Sequence, residues 1–138
     1  MAFTEKCSKQ LLQELIGQKQ YGALSTCYLA LSTTPPNAAG GNFTEPAGSS
    51  GYARTLVGTS NSNSTWLMSE PSGGTTSNID IIFFPEATAS WGTITHFGLF
   101  DAKTGGNLMV YGQLTTPVTV PANYVPLFRA GNFSMSIV

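Results

Sequence analysis

Near the start of the chain, Phe3, Cys7, Leu11, Leu12, Leu15 and Ile16 recur at three- and four-residue spacing, with Lys6, Lys9, Gln10 and Gln13 between them. That period predicts an amphipathic helix over residues 4–16, with Thr4 capping its start and Gly17 its end. A helix of about four turns is marginal alone in water, so its apolar face is expected to pack on the domain's own sheet or on a neighbouring subunit. Phe3, Leu11, Leu15 and Ile16 are therefore the candidate docking residues.

From residue 21 onward the period becomes two, and Gly, Pro, Asn and Ser clusters separate short apolar runs. Cys27, Leu29 and Leu31 alternate with Tyr28 and Ala30 until Pro35 and Pro36, which cannot donate to a ladder, stop the strand. A long Pro- and Gly-containing loop over 33–51 follows, of a length that is usually functional or mobile. Further strands are expected over 52–57, 65–69, 79–84, 93–100, 108–114, 118–120, 125–129 and 133–138. Asp101 starts the turn of the clearest hairpin, and Phe97, Leu99, Leu108, Val110 and Leu114 alternate in step on its arms, with Trp91 added to the expected core. Gly98 and Gly112 interrupt those arms and point to a bulge or a close approach. Short strands at this spacing, without a helix in each connection, predict an all-β fold: an antiparallel β-sandwich, jelly-roll or Ig-like, with a short N-terminal α-helix. The expected division is helix and linker over 1–20 and sandwich over 21–138.

Composition narrows the function. Charged residues are 9% of the 138, against about 25% in an ordinary domain, and the net charge is −1. Such a surface offers little repulsion against association. Six Lys and Arg residues make no basic patch for nucleic acid. No stretch reaches the ~18 apolar residues of a membrane span, and MAFTEKCSKQ has no secretory pattern, so a chain made in a cytosol is expected. Cys7 and Cys27 are expected as reduced, structural thiols.

The residues for chemistry are few. Outside the helix the carboxylates are Glu45, Glu70, Asp80, Glu86 and Asp101, which read as turn, loop or outward strand positions. His96 is the sole histidine, and with two distant cysteines it has no metal-site spacing. A His96–Asp101 base and orienter would lack a nucleophile. The paired glycines at 40–41, 73–74 and 105–106 lack a phosphate-loop pattern and read as turns. No catalytic residue, cofactor or metal is expected. The dispersed Trp66, Trp91, Tyr21, Tyr28, Tyr52, Tyr111 and Tyr124 favour core or interface anchoring over sugar stacking, and Tyr52 joins the candidate interface.

The run Ala87-Thr88-Ala89-Ser90-Trp91-Gly92-Thr93-Ile94-Thr95-His96-Phe97-Gly98-Leu99-Phe100-Asp101-Ala102 carries a further signal, together with Gly105-Gly106-Asn107-Leu108, Tyr111-Gly112-Gln113-Leu114, Tyr28-Leu29-Ala30-Leu31 and Gly51-Tyr52-Ala53-Arg54. Over residues 21–138 the chain resembles small tailed-bacteriophage virion proteins of the tail fibre, head fibre or collar type. The resemblance implies a β-sandwich virion component without catalytic motifs. The expected role is structural, as a collar, decoration or short fibre component, and the alternative is a host-surface or glycan-binding module of a tail fibre. Expected partners are further copies of the chain and other virion proteins of the capsid or head–tail connector, with a host-surface glycan under the alternative.

Overall fold

In chain order the elements are β1 (Ala2–Phe3), α1 (Glu5–Leu15), β2 (Thr26–Ser32), β3 (Thr55–Thr59), β4 (Thr75–Ser77), β5 (Ile82–Phe83), β6 (Gly92–Phe100), β7 (Leu108–Val120), β8 (Leu127–Phe128) and β9 (Ser134–Ser136). They come from a computed structural model that describes residues 1–20, 26–59 and 72–136. The expected strand over 65–69 and the end of the one over 133–138 lie outside the described residues.

Five strands form one antiparallel sheet in the order β1-β7-β6-β2-β3. Its register follows from the two-residue period: Leu29 faces Leu99, Leu31 faces Phe97, and Leu99 faces Val110, so one apolar set lines one face. Two antiparallel ladders, β4-β9 and β5-β8, add to that face, and Ile82, Phe84, Phe133, Phe128 and Met135 join its core cluster. Trp91, Phe97 and Leu99 are buried there as expected. Edge-on ring pairs interlock the layers, with Phe97–Phe133 centroids 5.2 Å apart and Tyr52–Trp91 also 5.2 Å apart. The result is the mostly β, antiparallel, sandwich-like arrangement expected.

The opposite face is also covered. Ala30, Phe100 and Leu108 form a second, smaller cluster there, closed by Phe43 from the 33–51 loop and by Tyr111. Ala30 is thus not an outward position, because the loop folds back over the strand. Gly98 explains how: a Cβ at that position would stand 2.7 Å from the Phe43 ring and 2.5 Å from a Leu108 methyl, so only hydrogen lets the loop seat.

Local features move several boundaries. The runs over 108–114 and 118–120 are one strand, because β7 sets Leu114–Pro117 opposite the single residue Thr95 as a bulge between paired ends. The 79–84 run is a strand only at Ile82–Phe83; Asp80 turns the chain by accepting the Ile81 N–H through its own carboxylate at 2.7 Å, which leaves Ile79 exposed. Asp80 is exposed as expected, but in a turn rather than on a strand.

Thr4 caps α1 as expected, accepting the Cys7 N–H at 3.3 Å, while its hydroxyl donates to the Leu108 carbonyl at 2.8 Å. Gly17 ends the helix at φ +71. Phe3, however, precedes the cap and pairs with Val110 in β1, its side chain half-buried against the core. Its four-residue spacing to Cys7 therefore straddles a strand and a helix.

Candidate functional site: an apolar ridge on the N-terminal helix

The first turn of the helix is bonded to the rest of the domain. The Thr4 N–H donates to Met109, the Glu5 N–H to Ala38, and the Lys6 ammonium to Asn107 at 2.7 Å. Cys7 is the one helix residue buried in the core. Beyond it the apolar stripe continues into solvent: Leu11, Leu12, Leu15 and Ile16 are 45%, 60%, 81% and 71% exposed. The stripe predicted from spacing is therefore real, but the sheet covers only its first residue. Of the candidate docking residues, Leu11, Leu15 and Ile16 lie together on this ridge, and Phe3 lies apart from it.

Tyr52 lies elsewhere. Its ring packs edge-on against Trp91, and its hydroxyl donates to Glu45 Oε1 at 2.6 Å while accepting the Leu31 N–H at 3.1 Å. Burial, and then the bond to Glu45, push the phenol's pKa well above the ordinary tyrosine value. Arg54 completes the cluster. Its Nε and Nη2 each meet a Glu45 oxygen at 2.9 Å, its Nη1 donates to the carbonyls of Ala102 and Gly105 at 2.8 Å, and its guanidinium lies 3.6 Å from the Phe100 ring centre. Every one of these contacts is internal, so Glu45, Tyr52 and Arg54 clamp the 33–51 loop to the β6–β7 turn. Reading Glu45 as a loop residue beside a proline missed this role. The signal was a lone Glu and a lone Arg nine residues apart in a chain with very few charges.

The groups weighed for catalysis do not converge. His96 Nδ1 lies 2.8 Å from the Thr95 hydroxyl, and Asp101 binds the Asn107 backbone and side-chain amides at 2.7 and 2.8 Å. Asp101 follows His96 by five steps of mostly extended chain, about 17 Å at strand rise. Partial burial opposes the Asp101 charge, yet the Asn107 bonds and Lys6 hold its pKa below the usual carboxylate value, as suits a turn-forming acceptor. Burial raises both thiols, Cys27 to about 12, so both stay protonated and unreactive. Among the described residues no group of His, Cys, Asp and Glu is arranged to hold a metal, and no helix is long and apolar enough to cross a membrane.

One open groove of about 690 Å³ lies where the β7 bulge meets the β8–β9 segment, lined among others by Gln113, Leu114, Val118, Tyr124, Phe128 and Ser134. Among the described residues no acidic or basic side chain lines it. Of the aromatics weighed for sugar stacking, Trp91 is buried beneath the sheet, Tyr124 at the groove is 44% exposed, and Trp66 and Tyr21 lie outside the described residues.

Residues 2–136 match the family model described as podophage GP4 fiber I protein gp80. The chain belongs to this family. As a member of the gp80 fibre family it is a bacteriophage fibre structural protein and a virion component, in agreement with the resemblance carried by the Trp91–Ala102 run. No curated protein matches the chain. The matched span takes in both the helix and the sheet, so the exposed ridge belongs to the family's own domain.

Proposed function

We propose that this fibre-family protein is an assembly subunit of the virion, a collar, decoration or short fibre component, that works by fitting against further copies of itself and against capsid or head–tail connector proteins. The carrying observation is the ridge of Leu11, Leu12, Leu15 and Ile16, which stands exposed beyond the first turn that Lys6 and Cys7 bind to the domain. A short helix gains little from its own hydrogen bonds, so its last turns are stabilised by burying that ridge on another surface. The neutral surface then lets the contact form by shape and apolar burial rather than by charge. The experiment is particle composition by mass spectrometry in phage carrying wild-type chain or the pair Leu15→Glu and Ile16→Glu. The variant is expected to be retained at least about tenfold less, a change of ~1.4 kcal/mol in the contact. Wild-type protein missing from purified particles, or equal retention of the variant, would refute the assembly role.

The alternative of a host-surface or glycan-binding module has the uncharged groove behind it. Its volume lies within the ~300–1,000 Å³ of small-molecule sites, and hydroxyl and amide groups stand beside Tyr124. A glycan array separates the two readings: saccharide binding that disappears with Tyr124→Ala supports the host-surface role, and a blank array removes it.

A further inference from the structure

Leu11 and Leu15, and Leu12 and Ile16, are i,i+4 neighbours, so the four exposed side chains form one continuous patch. We propose that this patch is a homotypic contact, in which the α1 ridge of one copy packs against the α1 ridge of a second copy. This rests on the assembly reading above and names the occupant of its surface.

The area is the first support. At about 140 Å² for a free Leu or Ile side chain, the four exposures amount to roughly 350 Å² of apolar surface per copy. Two copies face to face would remove at most about 700 Å² of apolar surface, to which a polar rim adds. That places the contact at the small end of biological interfaces, the class of weak association.

Charge is the second. The helix carries Glu5, Lys6, Lys9 and Glu14, two of each sign, in a chain of net charge −1, so two copies meet without a like-charge excess. Continuity is the third. The stripe begins at Cys7 inside the core cluster, so a second ridge laid along it extends the domain's own core rather than founding a separate one. Ridge against ridge also matches Leu and Ile with their own kind, which keeps polar groups out of the centre of the contact.

The test is sedimentation velocity of the purified full chain from about 1 to 200 µM, a range that brackets micromolar association. Wild type is expected to shift from monomer to a homo-oligomer across it, with little change between about 0.1 and 1 M salt because the contact is apolar. The pair Leu15→Glu and Ile16→Glu is expected to raise the dissociation constant at least about tenfold while matching the circular dichroism and Tm of the wild-type monomer at about 1 µM, since both side chains are exposed in the single copy. A wild-type chain that is monomeric throughout, or an oligomer indifferent to these substitutions, overturns the homotypic contact. Ridge-dependent entry of a strictly monomeric chain into particles removes the second copy as occupant and keeps the assembly role. Self-association of a chain missing from particles does the reverse.

Discussion

Arg54→Ala is expected to lower the unfolding free energy by about 3–5 kcal/mol, the loss that follows when one partner of a buried ion pair is removed. The Arg54 side chain is 7% exposed and faces Glu45, which is 25% exposed. Without the guanidinium, Glu45 keeps only the Tyr52 hydroxyl, and the carbonyls of Ala102 and Gly105 lose their donor. Phe100 also loses the flat cation at 3.6 Å that closes the outer cluster over Phe43. Arg54→Lys keeps a charge but has no planar fork to reach Glu45 and both carbonyls together, so it is expected to recover less than half of the loss. Denaturant titration of wild type and both variants reads the effect directly. A loss below about 1 kcal/mol for Arg54→Ala would assign the cluster to the weak class of surface pairs and remove the clamp.

How far the sequence was legible depended on whether a feature was periodic or a meeting of distant residues. The core strands β2, β6 and β7 were readable because burial on one face repeats every second residue, but Leu108, expected in step with Val110, lies on the other face beside Phe100 because the register shifts between Leu99 and Phe100. The break between the runs over 108–114 and 118–120 marked a true irregularity, since those residues bulge out opposite Thr95. The helix and both its caps were readable for the same local reasons. Which surface the helix buries was not, because spacing shows that an apolar stripe exists without showing what covers it. Only tertiary placement reveals that Cys7 enters the core while Leu15 stays in water. The Glu45–Tyr52–Arg54 clamp and the covering of Ala30 were missed for a related reason: each depends on where a loop without regular period folds back. The β5-β8 ladder was read too long, since β5 and β8 end after two residues where turn chemistry takes over, and β4 was not read as a strand at all.

Asn78 is the sharpest case of such a hidden residue, and its replacement carries the second large expected effect. Its side chain is buried, its Nδ2 donates to the carbonyls of Asp80 at 2.8 Å and Arg129 at 2.9 Å, and its Oδ1 accepts the Phe133 N–H at 2.9 Å. Its backbone adds bonds from its own N–H to Phe133 and from the Gly131 N–H to its carbonyl. One amide therefore ties the end of β4 to the turn before β9, the segment that delivers Phe133 against Phe97. Asn78→Ala removes the donor and acceptor together and leaves the buried Phe133 N–H without its partner, a loss of about 3 kcal/mol when the orphaned groups are summed. Asn78→Asp tests the directionality. The acceptor survives, but a carboxylate oxygen replaces Nδ2 and faces two carbonyl oxygens, so at neutral pH this variant is expected to be at least as unstable as the alanine one. Its folded pKa is then raised, because protonation restores a donor. The recovered stability is fully present below the unfolded value of ~3.9 and is lost as pH rises through the folded pKa. Thermal melts of both variants between about pH 3 and pH 7 distinguish the cases: an Asp variant that gains on Ala as pH falls confirms the donor role, and parallel curves would show that Asn78 contributes packing alone.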